Sequence, residues 1–314
     1  MGSVLYLAGD DATLGALEGP AMQPTLICND MHYWRLRPDP RLRPWVLCYF
    51  LARPLASAPR LARPQEEELL MPDGHSEIVF NLDSCYERWA VGQPDRRQVM
   101  RQSYVIGGRS HSVLTRDIGP VTVAGVKLDP RALRWLIATP LSEFRDATLA
   151  LPELNQPALL ELEQRVAHCR TAPELAQLLD EYLLRALREL QAPRHPVDHL
   201  LAELRATRGA LPIMTWLRDN GYEARTMQRR FCAATGLTPK RYARIVRFKH
   251  SYHELVTQRQ RALRAHLDGF SDQSHFNKEF RAFVGAAPTS RLLATMGPAT
   301  NISDHLLAGE LSPG

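Results

Sequence analysis

The chain has 314 residues, a net charge of +5 and an apolar content of 45%, and this length is enough for two domains that each bury a core. Its longest apolar run, Trp45–Ala52, is far shorter than the roughly 18 residues of a membrane-spanning helix, so no membrane span is expected. The five cysteines form no CxxC pair and the N-terminus has no basic segment before an apolar one; a reducing, cytoplasmic location is therefore expected.

Residues 31–128 have the pattern of a series of short β-strands. The segments are rich in β-branched and aromatic residues and are separated by Pro, Gly and Asp, which is typical of a barrel or a sandwich. Gly125 lies where the apolar alternation of the last segment changes phase, which predicts a β-bulge. The predicted strands are 32–37, 45–52, 76–82, 86–91, 103–106, 111–116 and 120–128.

After Asp129 and Pro130 the apolar spacing becomes helical, and two helices are predicted at about 157–169 and 173–191. The second opens with a capping box formed by Thr171 and Glu174. Its stripe of leucines fits equally well a buried core face or a seam between two copies of the chain. The seam alternative names Leu178, Tyr182 and Leu190.

A proline-rich stretch, 192–196, breaks the helix and marks the predicted domain boundary. Beyond it an internal repeat appears: Gly221, Tyr222, Phe231, Gly236 and Pro239 recur as Gly269, Phe270, Phe280, Gly285 and Pro288. Each copy reads as a helix, a glycine turn and a second helix, which describes a helix-turn-helix unit. Residues 239–256 are predicted to form the helix that joins the two units.

The charge is distributed unevenly between the two parts of the chain. Residues 205–296 hold 17 Lys and Arg against 6 Asp and Glu, whereas the remainder has a net charge of −6. A basic end on an acidic body suggests that this end meets a polyanion, although a solvated surface without a partner has the same composition.

These residues resemble a known family. The segments RTMQRRFCAATGLTPKRYARIVRF and GFSDQSHFNKEF, within about 200–292, are similar to the DNA-binding domain of AraC/XylS-type transcriptional regulators. Upstream, LRPWVLCYF and MPDGHSEIVFNL resemble the cupin-like N-terminal domain of one branch of that family. The resemblance implies an α+β chain with an N-terminal extension at 1–30, a β-rich cupin-like barrel with helices at 31–192, an all-α DNA-binding domain with two helix-turn-helix units at 196–296, and a tail at 297–314.

The resemblance also implies which side chains contact double-stranded DNA. Placed on the family pattern, two sets of residues face outward from the second helix of each unit, and their donors and acceptors suit base edges. Further basic residues suit phosphates. The base-reading set is Arg225, Thr226, Gln228, Arg229, Ser274, His275, Asn277 and Lys278, and the phosphate set is Lys240, Arg241, Arg244, Arg247 and Arg281.

Three departures from the family pattern concern how each helix-turn-helix unit docks. Leu217 stands where a small residue usually allows two helices to cross, and Glu223 replaces the usual Ser cap. Arg261 and Arg264 interrupt the apolar side of the supporting helix in the second unit.

No metal, cofactor or catalytic residue is expected. His75, Glu77 and His111 lack the spacing of a cupin metal site, and a satisfied or solvent-facing histidine is favoured. A small-molecule effector inside the β domain remains an expectation. Trp45, Tyr49 and Trp89 are candidates for its pocket, with core packing favoured for each.

The sequence therefore favours a non-enzymatic, sequence-specific transcription regulator that binds DNA as a homodimer, with a contact to RNA polymerase as a further expectation. Two alternatives remain open. One is an enzyme or ligand-binding cupin that uses the helical repeat as a DNA-targeting module. The other is a non-specific architectural DNA binder, which would need fewer base-reading side chains and more lysine.

Overall fold

A computed structural model describes residues 26–28, 31–54, 67–82, 84–119, 121–137, 139–188, 196–257 and 273–285. The described part of the chain is α+β, as predicted. Its N-terminal region is β-rich and is followed by a region of helices.

The strands form two antiparallel sheets. The seven-stranded sheet has the order β1-β2-β3-β10-β5-β8-β11, and the four-stranded sheet has the order β4-β9-β6-β7. Each of the seven predicted strands corresponds to an observed one, whereas four strands of three residues were missed: β1, β4, β7 and β11. The strand bounds are β1 Leu26–Cys28, β2 Met31–Leu36, β3 Val46–Pro54, β4 Glu68–Leu70, β5 Ser76–Asn81, β6 Tyr86–Ala90, β7 Gln98–Met100, β8 Tyr104–Ile106, β9 Val113–Asp117, β10 Val123–Leu128 and β11 Thr148–Ala150.

Alternation along β10 divides its side chains between two environments. Ala124, Val126 and Leu128 are fully buried in the main core of the N-terminal region. Val123 and Lys127 instead line a cavity that both sheets enclose. Because side chains of a strand alternate between its two faces, this pattern directs Lys127 to the interior between the sheets.

The prediction of a bulge at Gly125 is wrong. Gly125 pairs in regular register with Phe50 and Val79, and the register shift against β3 lies between Lys127 and Leu128. A Cβ atom at position 125 would lie 2.3 Å from the Phe50 ring and 2.4 Å from the Ile78 carbonyl oxygen. Glycine is therefore required here for close packing and not for an irregular backbone.

Three helices cover the outer face of the seven-stranded sheet: α1 Pro130–Ile137, α2 Pro157–His168 and α3 Ala172–Ala186. The Thr171 side chain caps α3 by accepting a hydrogen bond from the Glu174 amide, as predicted. Leu178 and Tyr182 are each only 8% exposed and belong to the main core. These two side chains are covered by their own chain, as the core alternative expects, and the dimer seam stays a prediction; Leu190 lies outside the described residues.

The C-terminal region contains α4 Pro196–Ala206, α5 Ile213–Asp219, α6 Ala224–Thr235, α7 Pro239–Thr257 and α8 Gln273–Val284. These helices share a second core, which also includes Leu69 of β4. Helix α7 matches the predicted connecting helix. Residues 192–195 of the predicted boundary lie outside the described residues, as do the segments 1–25 and 297–314.

Polar contacts join the two regions at the end of β10. The Asp129 carboxylate, 4% exposed, accepts hydrogen bonds from Arg131 at 2.8 Å and from Arg205 of α4 at 2.7 Å. Arg205 also donates to the Tyr242 hydroxyl of α7 at 2.8 Å. Burial raises the pKa of Asp129, but the Arg205 and Arg131 guanidiniums outweigh burial and hold this pKa well below its ordinary value. The buried carboxylate therefore stays ionised and links three elements.

No helix within the described ranges is long and apolar enough to cross a membrane.

Candidate nucleic-acid interface

Helix α6 begins at a carboxylate cap. The Glu223 side chain accepts hydrogen bonds from the amides of Arg225 and Thr226. A carboxylate at this position satisfies free amides and suits the positive end of the helix. Glu223 therefore performs the capping role of the serine that the resemblance implies here.

The outward face of α6 carries three of its four predicted base-reading residues in exposed positions. Arg225, Gln228 and Arg229 are exposed, and Thr226 is half-buried. On the opposite face, buried side chains such as Phe231 hold the helix in the C-terminal core. Long polar side chains on an exposed helix face can reach base edges in a major groove, but a DNA contact remains a prediction.

The turn after α6 is closed by Gly236, whose φ of 74° lies in the left-handed region. Its amide donates to the Cys232 carbonyl at 2.8 Å, as at a glycine-capped helix end. A Cβ atom here would lie 3.0 Å from both the Gly108 nitrogen and the Leu141 carbonyl oxygen of the N-terminal region. The end of α6 is thus pressed against that region.

Leu217 of α5, which departs from the small residue implied by the resemblance, is 4% exposed within the second core. The larger side chain is therefore accommodated by burial. The supporting helix of the second unit, with Arg261 and Arg264, lies outside the described residues.

Helix α7 buries the face that its sequence predicts. Tyr242, Ile245, Phe248 and Tyr252 are each 1% exposed or less. Phe248 stacks on Phe283 of α8, with ring centroids 4.6 Å apart. Aromatic packing of this kind fixes the angle between the two helices.

The arginines of α7 that were predicted to contact phosphates have partners within the chain. Arg241 donates to the Ser110 carbonyl of the N-terminal region, and Arg247 donates to the Gly209 carbonyl at 2.9 Å. Arg244 forms a two-pronged ion pair with Glu279 of α8, at 2.8 and 2.9 Å. These three side chains are therefore engaged in holding helices together in this structure.

Two other residues of the phosphate set have exposed side chains. Lys240, at the start of α7, and Arg281, on α8, are both exposed. Lys278 of α8 is also exposed, and Asn277 is half-buried. Ser274 and His275 lie in the first turn of α8, and their side chains are outside the described part of the structure.

The three residues considered for a metal site have separate partners. His75 lies 3.6 Å from Asp73, and His111 lies 3.3 Å from Asp146. Glu77 forms an ion pair with Arg109 at 2.9 Å. Within the described ranges, no group of three His, Cys, Asp or Glu residues is arranged to hold a metal.

Trp45, Tyr49 and Trp89 have core positions, the interpretation that the sequence favoured. Trp45 and Tyr49 lie in the main core, and Tyr49 donates to Asp180 at 2.6 Å. Trp89 is 4% exposed beneath the Arg97 guanidinium. None of the three lines the cavity between the sheets.

Sequence reasoning missed the residues that do line this cavity. Glu77 and Lys127 are directly paired across β5 and β10, and Arg35 and Arg109 lie on the same wall. A signal for two of them was present, because Glu77 and Lys127 occupy the inward phase of strands whose other phase is apolar. Charged residues in that phase mark a polar interior.

Comparison with known proteins supports the assignment of the C-terminal region. Residues 216–292 match a family described as a helix-turn-helix domain. Residues 34–150 match a family described as a domain of unknown function, DUF6597. No curated protein matches the chain.

Among solved structures, the chain is similar to ToxT from Vibrio cholerae. ToxT from strain O395 has 10% identity and a TM-score of 0.42, over 76% of this chain and 96% of that chain. An apo ToxT variant with one lysine-to-alanine change, from strain SCE256, has 10% identity and a TM-score of 0.44, over 85% and 97%. Wild-type ToxT with a bound unsaturated fatty acid has 8% identity and a TM-score of 0.41, over 75% and 93%.

Proposed function

We propose that this chain, in which residues 216–292 match a helix-turn-helix domain, is a sequence-specific DNA-binding transcription regulator of the AraC type. In this proposal α6 and α8 enter successive segments of the major groove, and α7 holds them on one side of the duplex. The observation that carries it is the exposed polar face of α6, with Arg225, Gln228 and Arg229 on a helix anchored by its opposite side.

The chemistry of this face supports base reading. Arginine donates to the acceptors of guanine, and glutamine pairs with adenine through one donor and one acceptor. A non-specific binder would need charge more than such mixed donors and acceptors. We therefore assign Arg225, Thr226, Gln228 and Arg229 to the first half of the site, and Ser274, His275, Asn277 and Lys278 to the second.

The phosphate contacts of the proposal rest first on Lys240 and Arg281, because both are exposed. Arg241, Arg244 and Arg247 belong to it only if DNA binding releases them from their partners within the chain. Their present contacts support a role in positioning the two reading helices.

A homodimer, a contact with RNA polymerase and a small-molecule effector complete the proposal. Dimerisation would place two readers on one operator and raise avidity by roughly 10²–10⁴ without new base contacts. One ToxT structure contains an unsaturated fatty acid, which is a property of that protein. Support for an effector in this chain comes from its own cavity between the sheets.

The test uses the full chain without added ligand. Genomic DNA fragments that the chain binds are footprinted, and the protected segments are expected to share a sequence motif. In that motif Arg229→Ala and His275→Ala should each relax preference at one or two bases and weaken binding by about 1–3 kcal/mol. The two affected positions should lie roughly 10 bp apart.

The matched control is Arg218→Ala, because Arg218 is an exposed arginine on α5. This change should leave the base preference unchanged. Equal protection of all sequences would reject the proposal.

A further inference from the structure

One end of the four-stranded sheet lies against the end of α8. Val91, which directly follows β6, contacts Gly285, which directly follows α8: a Cβ atom at Gly285 would lie 2.4 Å from Val91 Cγ1. Val91 is half-buried and packs against the second core. The hairpin that joins β6 to β7 therefore stands next to the helix that the proposed function places in the second groove segment.

This contact lies on the exposed side of α8. Lys278 and Arg281 are exposed, whereas Phe280 and Phe283 are buried. Gly285 follows Lys278 by seven residues, which is close to two helical turns, so both residues lie along the same side of the helix. The hairpin is thus placed at the end of the side that α8 would turn towards DNA.

Two arginines occupy the turn of this hairpin. Arg96 and Arg97 lie between β6 and β7, and both have exposed side chains. An arginine that protrudes from a turn can reach a phosphate and bind it through two parallel hydrogen bonds. The turn therefore offers phosphate-binding groups beside α8.

The stem of the hairpin holds these arginines in a fixed geometry. The Arg97 guanidinium lies 4.6 Å from the centre of the Trp89 ring, and its Nη1 atom lies 3.6 Å from the Glu87 carboxylate. Arg116 of β9 donates to the same carboxylate at 3.0 Å. A cation above an indole is attracted by the ring. Because the turn is already ordered by this stem, less entropy is lost when it binds a partner.

Positive charge predominates on the surface that the hairpin and α8 share. Its cations and acids are Arg96, Arg97, Arg116, Lys278 and Arg281 against Asp95 and Glu87. Glu279 does not add to these acids, because it is 8% exposed and is paired with Arg244. Arg101 and Asp117 lie at the far end of the sheet, near Tyr86, and offset each other. A surplus of cations along one surface attracts a polyanion.

We infer that the β6–β7 hairpin contacts the DNA backbone, through Arg96 and Arg97, beside the groove segment that α8 enters. The inference rests on the proposed function and extends the DNA-binding surface beyond the helix-turn-helix domain to the β-rich region. Because phosphates are alike along the duplex, these contacts strengthen binding and position the chain without selecting bases.

The experiment measures binding of the full chain to a duplex that carries its best footprinted site, by fluorescence anisotropy across a salt series. Each lost phosphate contact lowers the slope of log affinity against log salt by about 1. Arg96→Gln should therefore lose about one unit of slope, so that a tenfold rise in salt weakens this variant roughly eightfold less than wild type. Its base preference should be that of wild type. Arg96 is the residue to change, because Arg97 also packs on Trp89.

The matched control is Arg101→Gln, because Arg101 is an exposed arginine at the other end of the same hairpin. This variant should keep the slope of wild type. An equal slope in wild type and Arg96→Gln, or an equal loss in Arg96→Gln and Arg101→Gln, would overturn the inference and leave the proposed function standing. A changed base preference in Arg96→Gln would overturn the assignment to the backbone. A wild-type chain that binds no DNA would reject the proposed function and this inference with it.

Discussion

Helix α6 packs against α1, α4, α7 and the Leu141–Phe144 turn of the N-terminal region, whereas α8 is attached to the described structure mainly through α7. The rings of Phe248 and Phe283 and the Arg244–Glu279 ion pair form that attachment, and Val91 lies close to Gly285 at the end of α8. Helix α6, the first reading helix of the proposed function, is therefore oriented by both regions of the chain. Among the described residues, α8 packs mainly on the single helix α7, so we expect α8 to open more readily than α6.

The largest expected effect tests the weaker attachment. Phe283→Ala removes a ring that is 1% exposed and stacked on Phe248, and should destabilise the docking of α8 by about 3–5 kcal/mol. Amide hydrogen exchange should accelerate in 273–285 with little change in α6. Phe231→Ala in α6 is the matched variant and should accelerate exchange across α4, α6 and α7. The same pattern of hydrogen exchange in both variants would contradict the inference that α8 is attached less firmly than α6.

The second prediction concerns the link between the two regions. Asp129→Asn leaves the Arg205 guanidinium without its buried carboxylate, and should lower the free energy of unfolding by about 3 kcal/mol. Urea denaturation measures the change. The control is Asp219→Asn, which breaks the exposed pair with Arg218 and should cost about 0–1 kcal/mol. Equal effects of the two changes would mean that the Asp129 contacts do not join the regions.

The third prediction separates phosphate contacts from positioning contacts. Lys240→Gln should lower the slope of log affinity against log salt by about 1, because one phosphate contact is lost. Arg244→Gln should change the slope less and should instead loosen α8, because Arg244 is paired with Glu279. Filter binding across a salt series gives both slopes. A full unit lost in Arg244→Gln would indicate that DNA binding breaks the ion pair.

The smallest effect concerns the cap of α6. Hydrogen bonding to Thr226 lowers the pKa of Glu223 from its ordinary value of 4.5. A lowered pKa means that the ionised cap stabilises the fold above the unfolded-state pKa, and that this contribution is lost as pH falls through the folded-state pKa. Thermal unfolding of Glu223→Gln should therefore begin at a lower temperature than wild type near neutral pH, with the two converging in acid. A difference that persists in acid would exclude the carboxylate as its cause.

The sequence predicted the regular elements well wherever hydrophobic periodicity was sustained. The strands with clear alternation and the long helix α7 were located within a few residues. Four of the five three-residue strands, β1, β4, β7 and β11, were not found, because so short a segment has too few residues to show a period. The leucine stripe of α3 left core and seam equally open, and only the packing of α2 and α3 on the sheet determined that Leu178 and Tyr182 are buried.

The candidate DNA surface was predicted from the resemblance more completely than the cavity was. The exposed side of α6 follows from helical periodicity, so Gln228 and Arg229 were placed correctly on the outer face. The partners of Arg241 and Arg244 come from Ser110 and Glu279, far away in sequence. Such long-range pairs leave no local pattern, which is why both arginines were assigned to phosphates.

Phe248 belongs to two sites at once. It forms part of the cavity wall, and its ring also stacks on Phe283 of α8, the second reading helix of the proposed function. Any ligand whose affinity depends on the position of this ring is thermodynamically coupled to the position of α8. Such coupling is reciprocal: a ligand that changes the affinity for DNA by some factor has its own affinity changed by DNA by the same factor. If the chain binds DNA through α8 as proposed, occupied DNA sites would alter how readily the cavity takes up a ligand.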